Sequence, residues 1–147
     1  MPVVHTRHTT DRPIEQVWKV VLDCEAFPDY MPEVREIEIM EQDGELRVSR
    51  WAVLLKGSEL EWEERERIDH AAHRIEFEQI EGDLAYFTGH WQVSDSPEGT
   101  MVELRVEFDI GIPLMAEMLN PVAARALEDN SRAILDQIGR RAGVAVP

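Results

Sequence analysis

From Ser58 to Ile68 polar and apolar positions alternate along the chain. One parity reads Ser58, Leu60, Trp62, Glu64, Glu66, Ile68; the other reads Glu59, Glu61, Glu63, Arg65, Arg67 and is fully charged. A period of two places each set on its own face of a β-strand. The charged set faces water, so Glu64 and Glu66 share the covered face with Leu60, Trp62 and Ile68. Ionised carboxylates are seldom packed into a dry core without partners. The pattern therefore predicts a lined, partly polar cavity suited to ligand binding or acid/base chemistry.

Elsewhere the periodicity predicts a first strand, a helix, a run of strands and a final helix. Val3–Thr10 forms the first strand, poorly alternating because His5, Arg7 and His8 are all polar. Asp11-Arg12-Pro13 starts a helix, with Asp11 as cap and Pro13 in the first turn. Ile14, Val17, Trp18, Val21 and Leu22 then make one buried stripe. Pro28 and Pro32 bracket a turn or short helical piece. Strands follow over Glu33–Glu41, Glu45–Leu55, Ser58–Ile68, His73–Glu81, Leu84–Val93 and Thr100–Ile110. Turns fall at Asp43-Gly44, a strong hairpin signal, at Lys56-Gly57 and at Glu81-Gly82-Asp83, with a loop from Ser94 to Gly99. Six strands with one charged face each describe a curved antiparallel meander covered on one side.

One strand is ambiguous. Its parities are Leu46, Val48, Arg50, Ala52, Leu54 and Arg47, Ser49, Trp51, Val53, Leu55. If Arg50 turns inward with Val48 and Ala52, it is the natural counter-ion of Glu64 or Glu66. The cover is the last helix, opening at Pro113 or Pro121 and carrying Ala123, Ala126 or Leu127, Asn130, Ile134 and Ile138. Gly139 and Gly143 are expected to cut it off, and Asn120-Pro121 to bend or split it. Residues 1–143 read as one domain and 144–147 as a disordered tail.

Composition narrows the function. The 147 residues are 44% apolar with four tryptophans, enough for one full core. A net charge of −15, from 30 acidic against 15 basic residues, argues against nucleic acid and anionic membranes as partners. It also disfavours electrostatic docking to an acidic partner unless a local basic face exists, for which Arg125, Arg132, Arg140 and Arg141 of the last helix are the best candidates. No apolar run reaches the length of a membrane span and Met1–Arg12 lacks a secretory apolar region, so the cytoplasm is the default. Cys24, alone, forms no internal disulfide. The five histidines show no metal spacing, and neither a phosphate loop nor a nucleophile elbow is present, so no metal and no cofactor are expected.

Several stretches resemble a known family. They are Pro13-Ile14-Glu15-Gln16-Val17-Trp18, Ala26-Phe27-Pro28-Asp29-Tyr30, Glu61-Trp62, Gly89-His90-Trp91, Gly99-Thr100 and Asn130-Ser131-Arg132. Together with the element order they resemble the polyketide cyclase/dehydrase branch of the START-like, Bet v 1-like superfamily, over nearly the whole chain. The resemblance implies an α+β helix-grip fold: a curved antiparallel sheet wrapped around a long C-terminal helix, with two short helices after the first strand. It also implies a deep cleft for a hydrophobic small molecule, free or presented by an acyl carrier protein, in a monomer or homodimer. By the resemblance, Phe27 matches the aromatic at the cleft entrance, Trp62 a tryptophan of its wall and Trp91 that of the His-Trp pair. The aromatase/cyclases of this branch carry an arginine two positions after a small polar residue of the central strand. Glu64 and Glu66 occupy those positions here, so arginine-based stabilisation of an enolate gives way to carboxylate chemistry or to binding.

The expected ligand-binding set is Phe27, Tyr30, Met31, Arg50, Trp62, Phe77, Gln79, Phe87, Trp91, Phe108, Asn130 and Ile134. Glu64 and Glu66 are the candidate catalytic pair, Glu64 as base and Glu66 as its protonated partner, promoting aldol cyclisation and dehydration of a poly-ketone or aromatic intermediate. Alternatives are structural glutamates bonded to Arg50, Tyr30 or Asn130, a non-catalytic carrier of a polyketide, quinone or lipid, and an interaction module anchored by an exposed Trp18 or Trp51. Asn130 orients a ligand oxygen or satisfies a backbone group of the facing strand. His90 points outward.

Overall fold

The computed structural model describes residues 2–55, 58–111 and 116–144. Seven strands form one antiparallel sheet, β1 (Val3–Thr10), β2 (Val34–Asp43), β3 (Leu46–Leu55), β4 (Ser58–Asp69), β5 (Arg74–Gly82), β6 (Tyr86–Ser96) and β7 (Gly99–Asp109). Their order is β1-β7-β6-β5-β4-β3-β2, so consecutive hairpins fill the sheet and only β1 crosses over to join β7. Between β1 and β2 lie α1 (Ile14–Leu22), a 3-10 turn (Cys24–Ala26) and α2 (Phe27–Tyr30); α3 (Ala116–Val144) follows β7 and packs against β1, β7, β3 and α1. This is the helix-grip fold.

Alternation puts the core on the concave face. Along β7 every second residue, from Val102 through Leu104 and Val106 to Phe108, is buried, and β4 buries Trp62, Glu64, Glu66 and Ile68. Apolar side chains on that face close against Leu127, Ile134, Leu135 and Ile138 of α3 and Val17, Trp18 and Val21 of α1. Burial of this apolar surface is the main force holding helix to sheet. Gly89 on β6 is required by packing, because a Cβ there would overlap the Arg105 carbonyl oxygen.

Several expectations need correcting. Pro13, not Asp11, is the N-cap of α1; its carbonyl accepts from Gln16 and Val17 N–H, and Asp11 pairs with Arg12 instead. The first hairpin turns at Gly44-Glu45, with Asp43 still paired to Leu46 and Gly44 at φ +61°. β6 and β7 stay paired out to Ser96 and Gly99, so the expected loop shrinks to Pro97-Glu98. α3 is unbroken over 29 residues with Pro121 inside it and runs through Gly139 and Gly143 to Val144. Gly139 is a close-packing position, not a stop: a Cβ there would lie 2.6 Å from His8 Nε2 of β1. The turn expected at Lys56-Gly57, the opening at Pro113 and residues 145–147 of the expected tail lie outside the described residues.

Candidate functional site

The strand that was ambiguous in the sequence turns Arg47, Ser49, Trp51 and Val53 inward. Register explains why: in the β3–β4 hairpin Arg47 opposes Glu66, Ser49 opposes Glu64 and Trp51 opposes Trp62, and directly opposed residues share a face. Arg50 is thereby turned to the convex face, where it pairs with Glu63 at 3.3 Å. The expectation that Arg50 is the inward counter-ion is overturned, and Arg47 takes that place.

Arg47 and Glu66 form a buried, two-pronged ion pair, Nε to Oε1 at 2.6 Å and Nη2 to Oε2 at 3.3 Å, with side chains 4% and 1% exposed. The remaining nitrogen, Nη1, donates to the Leu22 carbonyl at the end of α1 at 3.0 Å. Two parallel charge-assisted bonds fix both geometry and charge. Cys24 packs next to this pair; burial pushes its thiol up to about 12.

Glu64 sits one inward position along β4 and is 2% exposed. Trp62 Nε1 donates to Glu64 Oε1 at 2.7 Å, whereas Oε2 meets no donor. Burial pushes the Glu64 carboxyl well above the usual carboxylate range; the Glu66 charge adds to this, while the Trp62 N–H and Arg47 oppose it. A proton on Glu64 turns the unpartnered oxygen into a donor. Glu66 is thus tied to a cation, while burial favours the neutral form of Glu64.

Glu64 lines a cavity of about 40 Å³ between sheet and α3. Its walls are Trp51, Val53, Trp62, Phe77, Phe87, Trp91, Leu104 and Val106 from the sheet and Leu127, Asn130, Ser131 and Ile134 from α3. The space takes about one water as it stands, so a larger ligand must displace wall side chains. Trp51 and Trp62 stack with centroids 5.7 Å apart and planes 12° apart, which makes a flat aromatic wall beside the carboxyl.

Of the expected ligand set, Trp62, Phe77, Phe87, Trp91, Asn130 and Ile134 line this cavity. Phe27, Met31 and Phe108 are buried in the core behind it, and Phe27 packs edge-on against Trp51 and tilted against Trp91 instead of standing at an entrance. Tyr30 lies on an outer groove under the Arg141 guanidinium, 4.9 Å from its ring centre. Gln79 donates to the Leu84 carbonyl at 2.6 Å and Asn130 to the Leu54 carbonyl at 2.9 Å, so both serve backbone groups. Trp18 and Trp51, offered as exposed anchors for an interaction module, are both buried. The cavity wall also holds Trp51, Val53, Leu104, Val106, Leu127 and Ser131, and Arg47 stands behind it on Glu66; none of these was among the expected site residues.

Among the described residues no group of His, Cys, Asp or Glu is arranged to hold a metal, and no helix is long and apolar enough to cross a membrane. A family model described as polyketide cyclase/dehydrase and lipid transport matches residues 10–135. The protein TTHA0849 from Thermus thermophilus is similar in structure with a TM-score of 0.92 and 27% identity, over 99% of this chain and 100% of that one. The Zhui aromatase/cyclase from a Streptomyces species superposes with a TM-score of 0.84 at 23% identity, over 99% and 96%. A START superfamily protein from Mycobacterium smegmatis does so at 0.77 and 18% identity, over 95% and 98%. At those two identities the likeness is one of fold.

Proposed function

This chain belongs to the polyketide cyclase/dehydrase and lipid transport family, and from that premise we propose that it is a cofactor-independent cyclase or dehydratase with Glu64 as its acid. The observation that carries the reading is the Glu64 carboxyl, buried on the wall of an otherwise nearly apolar cavity with Oε2 unmatched by any donor. A neutral acid there donates a hydrogen bond to a ligand carbonyl or hydroxyl. The apolar body of a poly-ketone or aromatic intermediate packs against the Trp51–Trp62 wall, and burial in a water-poor cleft strengthens the bond to oxygen.

A single carboxyl suffices for dehydration of a β-hydroxy ketone. Glu64 gives its proton to the departing hydroxyl as the C–O bond breaks, and water leaves. The resulting carboxylate takes the proton from the carbon beside the carbonyl, whose C–H electrons become the new C=C bond, and the acid is restored. General acid/base catalysis of this kind contributes about 10²–10⁴-fold. Holding the chain folded supplies the rest of the acceleration for ring closure.

The second reading is a carrier of a hydrophobic molecule. It is favoured by the Arg47–Glu66 pair, which leaves Glu64 as the one carboxyl among the described residues on the cavity wall. One experiment separates the two: turnover and binding of a β-hydroxy ketone mimic by the parent protein and by Glu64→Gln. Turnover lost with binding retained supports the enzyme. Binding by the parent without turnover supports the carrier, and neither binding nor turnover removes both.

A further inference from the structure

The stripe of α3 that faces the sheet includes Leu127, Asn130, Ser131, Ile134 and Ile138, the three- and four-residue spacing of one helix face. Leucine and isoleucine on that stripe close the core, and Ser131 stands among them, 4% exposed. A buried hydroxyl without a partner is costly, so its place on a packed helix face calls for a use. Ser131 lines the same cavity of about 40 Å³ as the Glu64 carboxyl. We propose that Ser131 is the second polar contact of this cavity, so that the site takes a ligand with two oxygens, one met by Glu64 and the other by the Ser131 hydroxyl. The proposal rests on the reading of Glu64 as an acid facing a ligand. It adds the residue that selects a β-hydroxy ketone over a plain ketone or a plain alcohol.

Three observations support it. The two groups come from opposite walls, Glu64 from β4 and Ser131 from α3, so a ligand lying between sheet and helix can touch both. Most other polar side chains of the wall are already engaged: Asn130 donates to the Leu54 carbonyl at 2.9 Å, Trp62 to Glu64 at 2.7 Å and Trp51 to Ser49 at 2.8 Å. The Trp91 indole is the remaining one, and it can only donate, whereas a serine hydroxyl rotates to donate or accept. Finally, the Asn130 bond ties α3 to β3 at the residue beside Ser131, which fixes the helix over the cavity.

Chemistry assigns the two contacts. Glu64, with Oε2 unmatched, meets the departing hydroxyl, which leaves the Ser131 O–H to donate to the carbonyl oxygen. A donor on that oxygen draws electrons toward it, so the neighbouring carbon yields its proton to the Glu64 carboxylate more readily and the charge building on oxygen is held. Ser131 exchanges no proton with the substrate and ends as it began. The competing use of a mid-helix serine is a bond to the carbonyl four residues back, here that of Leu127, and a hydroxyl so engaged would not sense the ligand.

Three compounds of one shape test this by calorimetry: pinacolone, pinacolone with a hydroxyl on one of its tert-butyl methyls, and the alcohol in which the carbonyl of the latter is a methylene. The carbon between the two oxygens of the hydroxy ketone bears no hydrogen, so dehydration is blocked and binding alone is read. The parent should bind the hydroxy ketone about fivefold tighter than either single-oxygen compound, the net worth of one hydrogen bond. Ser131→Ala, a substitution that favours the helix, should erase that advantage while the single-oxygen compounds keep their affinity through Glu64. Ser131→Cys, close in size but a weak donor, should behave as the alanine variant does. An advantage that is absent from the parent or survives in Ser131→Ala, or an equal loss for all three compounds, overturns the proposal and leaves the acid role of Glu64 standing. A Ser131-dependent advantage without turnover of diacetone alcohol, a β-hydroxy ketone that retains the hydrogen, keeps the contact and removes only the enzymatic reading. No binding of any of the three compounds by the parent removes both.

Discussion

The Trp62 indole N–H and the Glu64 carboxyl meet at 2.7 Å on the same face of β4, two residues apart. The neighbouring strand repeats the device, since Trp51 Nε1 donates to Ser49 Oγ at 2.8 Å, and the two indoles stack. Each tryptophan thus spends its polar edge on the residue two positions along and gives its face to the cavity. Tryptophan N–H groups need such a partner when buried.

Trp62→Phe is expected to keep most of the apolar wall and remove that donor. Glu64 Oε1 would then join Oε2 in having no donor, at a cost of about 1–3 kcal/mol. The Glu64 proton should also be held to still higher pH, because the indole hydrogen bond favours the ionised form. A lower urea midpoint together with a raised Glu64 midpoint is the expected pair of results; a lowered Glu64 midpoint would contradict the bond.

The contribution of Glu64 to stability should fall as pH rises. Glu64 has its folded value raised above the ordinary carboxyl value of 4.5, so between the two the folded state binds more protons than the unfolded one. Its contribution is fully present below the unfolded value and is lost as pH climbs through the folded one. Glu64→Gln carries no such proton. Urea unfolding across a pH series should show its advantage over the parent growing with pH, and a constant difference between the two proteins would count against a raised Glu64.

The inward placement of Glu64 and Glu66 was legible in the alternation of β4 because the opposite face is charged throughout. The β3 face was not, since Arg47 and Arg50 stand on opposite parities, each among apolar residues. A signal was nevertheless present. With Lys56-Gly57 as a two-residue turn, counting back from Leu55 opposite Ser58 brings Arg47 to Glu66 and leaves Arg50 to Glu63, as the register has it. Pairing across a hairpin fixes a face where the composition of one strand does not.

α3 teaches a different lesson. Pro121, Gly139 and Gly143 are helix breakers by propensity, yet the helix runs through all three. Tertiary packing overrides propensity when a long apolar stripe must cover a sheet. The glycines are read correctly only with the partner in view, since Gly139 faces His8 and Gly143 faces Arg12. The small cavity volume was equally invisible in sequence, because it depends on how Trp51, Trp62 and Leu127 interlock.

Gly89→Ala should be among the most damaging single-methyl changes in the sheet. The added Cβ would overlap the Arg105 carbonyl oxygen and lie 3.0 Å from Phe77 Cζ. Backbone cannot swing aside as a flexible side chain can, so β6 and β7 must separate locally. Overpacking of this kind costs about 1–3 kcal/mol or more. Thermal unfolding checks it, with Gly139→Ala as the milder comparison because its clash is with the movable His8 imidazole.

Leu127→Ala tests the cavity itself. Leu127 is 6% exposed and lines the space of about 40 Å³ beside Glu64, so truncation enlarges a void that α3 and the sheet cannot fully collapse. Such changes cost about 2–5 kcal/mol, and the enlarged apolar space should accept small ring compounds that the parent binds poorly. Cyclohexanone and methylenecyclohexane have nearly the same shape, but only the ketone accepts a hydrogen bond. If Glu64 carries a proton toward the cavity, the ketone should stabilise Leu127→Ala more than the hydrocarbon does, by about 1 kcal/mol for the added bond, read as a larger thermal shift at equal free ligand. Adding Glu64→Leu to that variant should erase or reverse the preference. Equal shifts for the two compounds in Leu127→Ala would mean that the Glu64 proton does not reach the cavity, and the acid role assigned to it would fall.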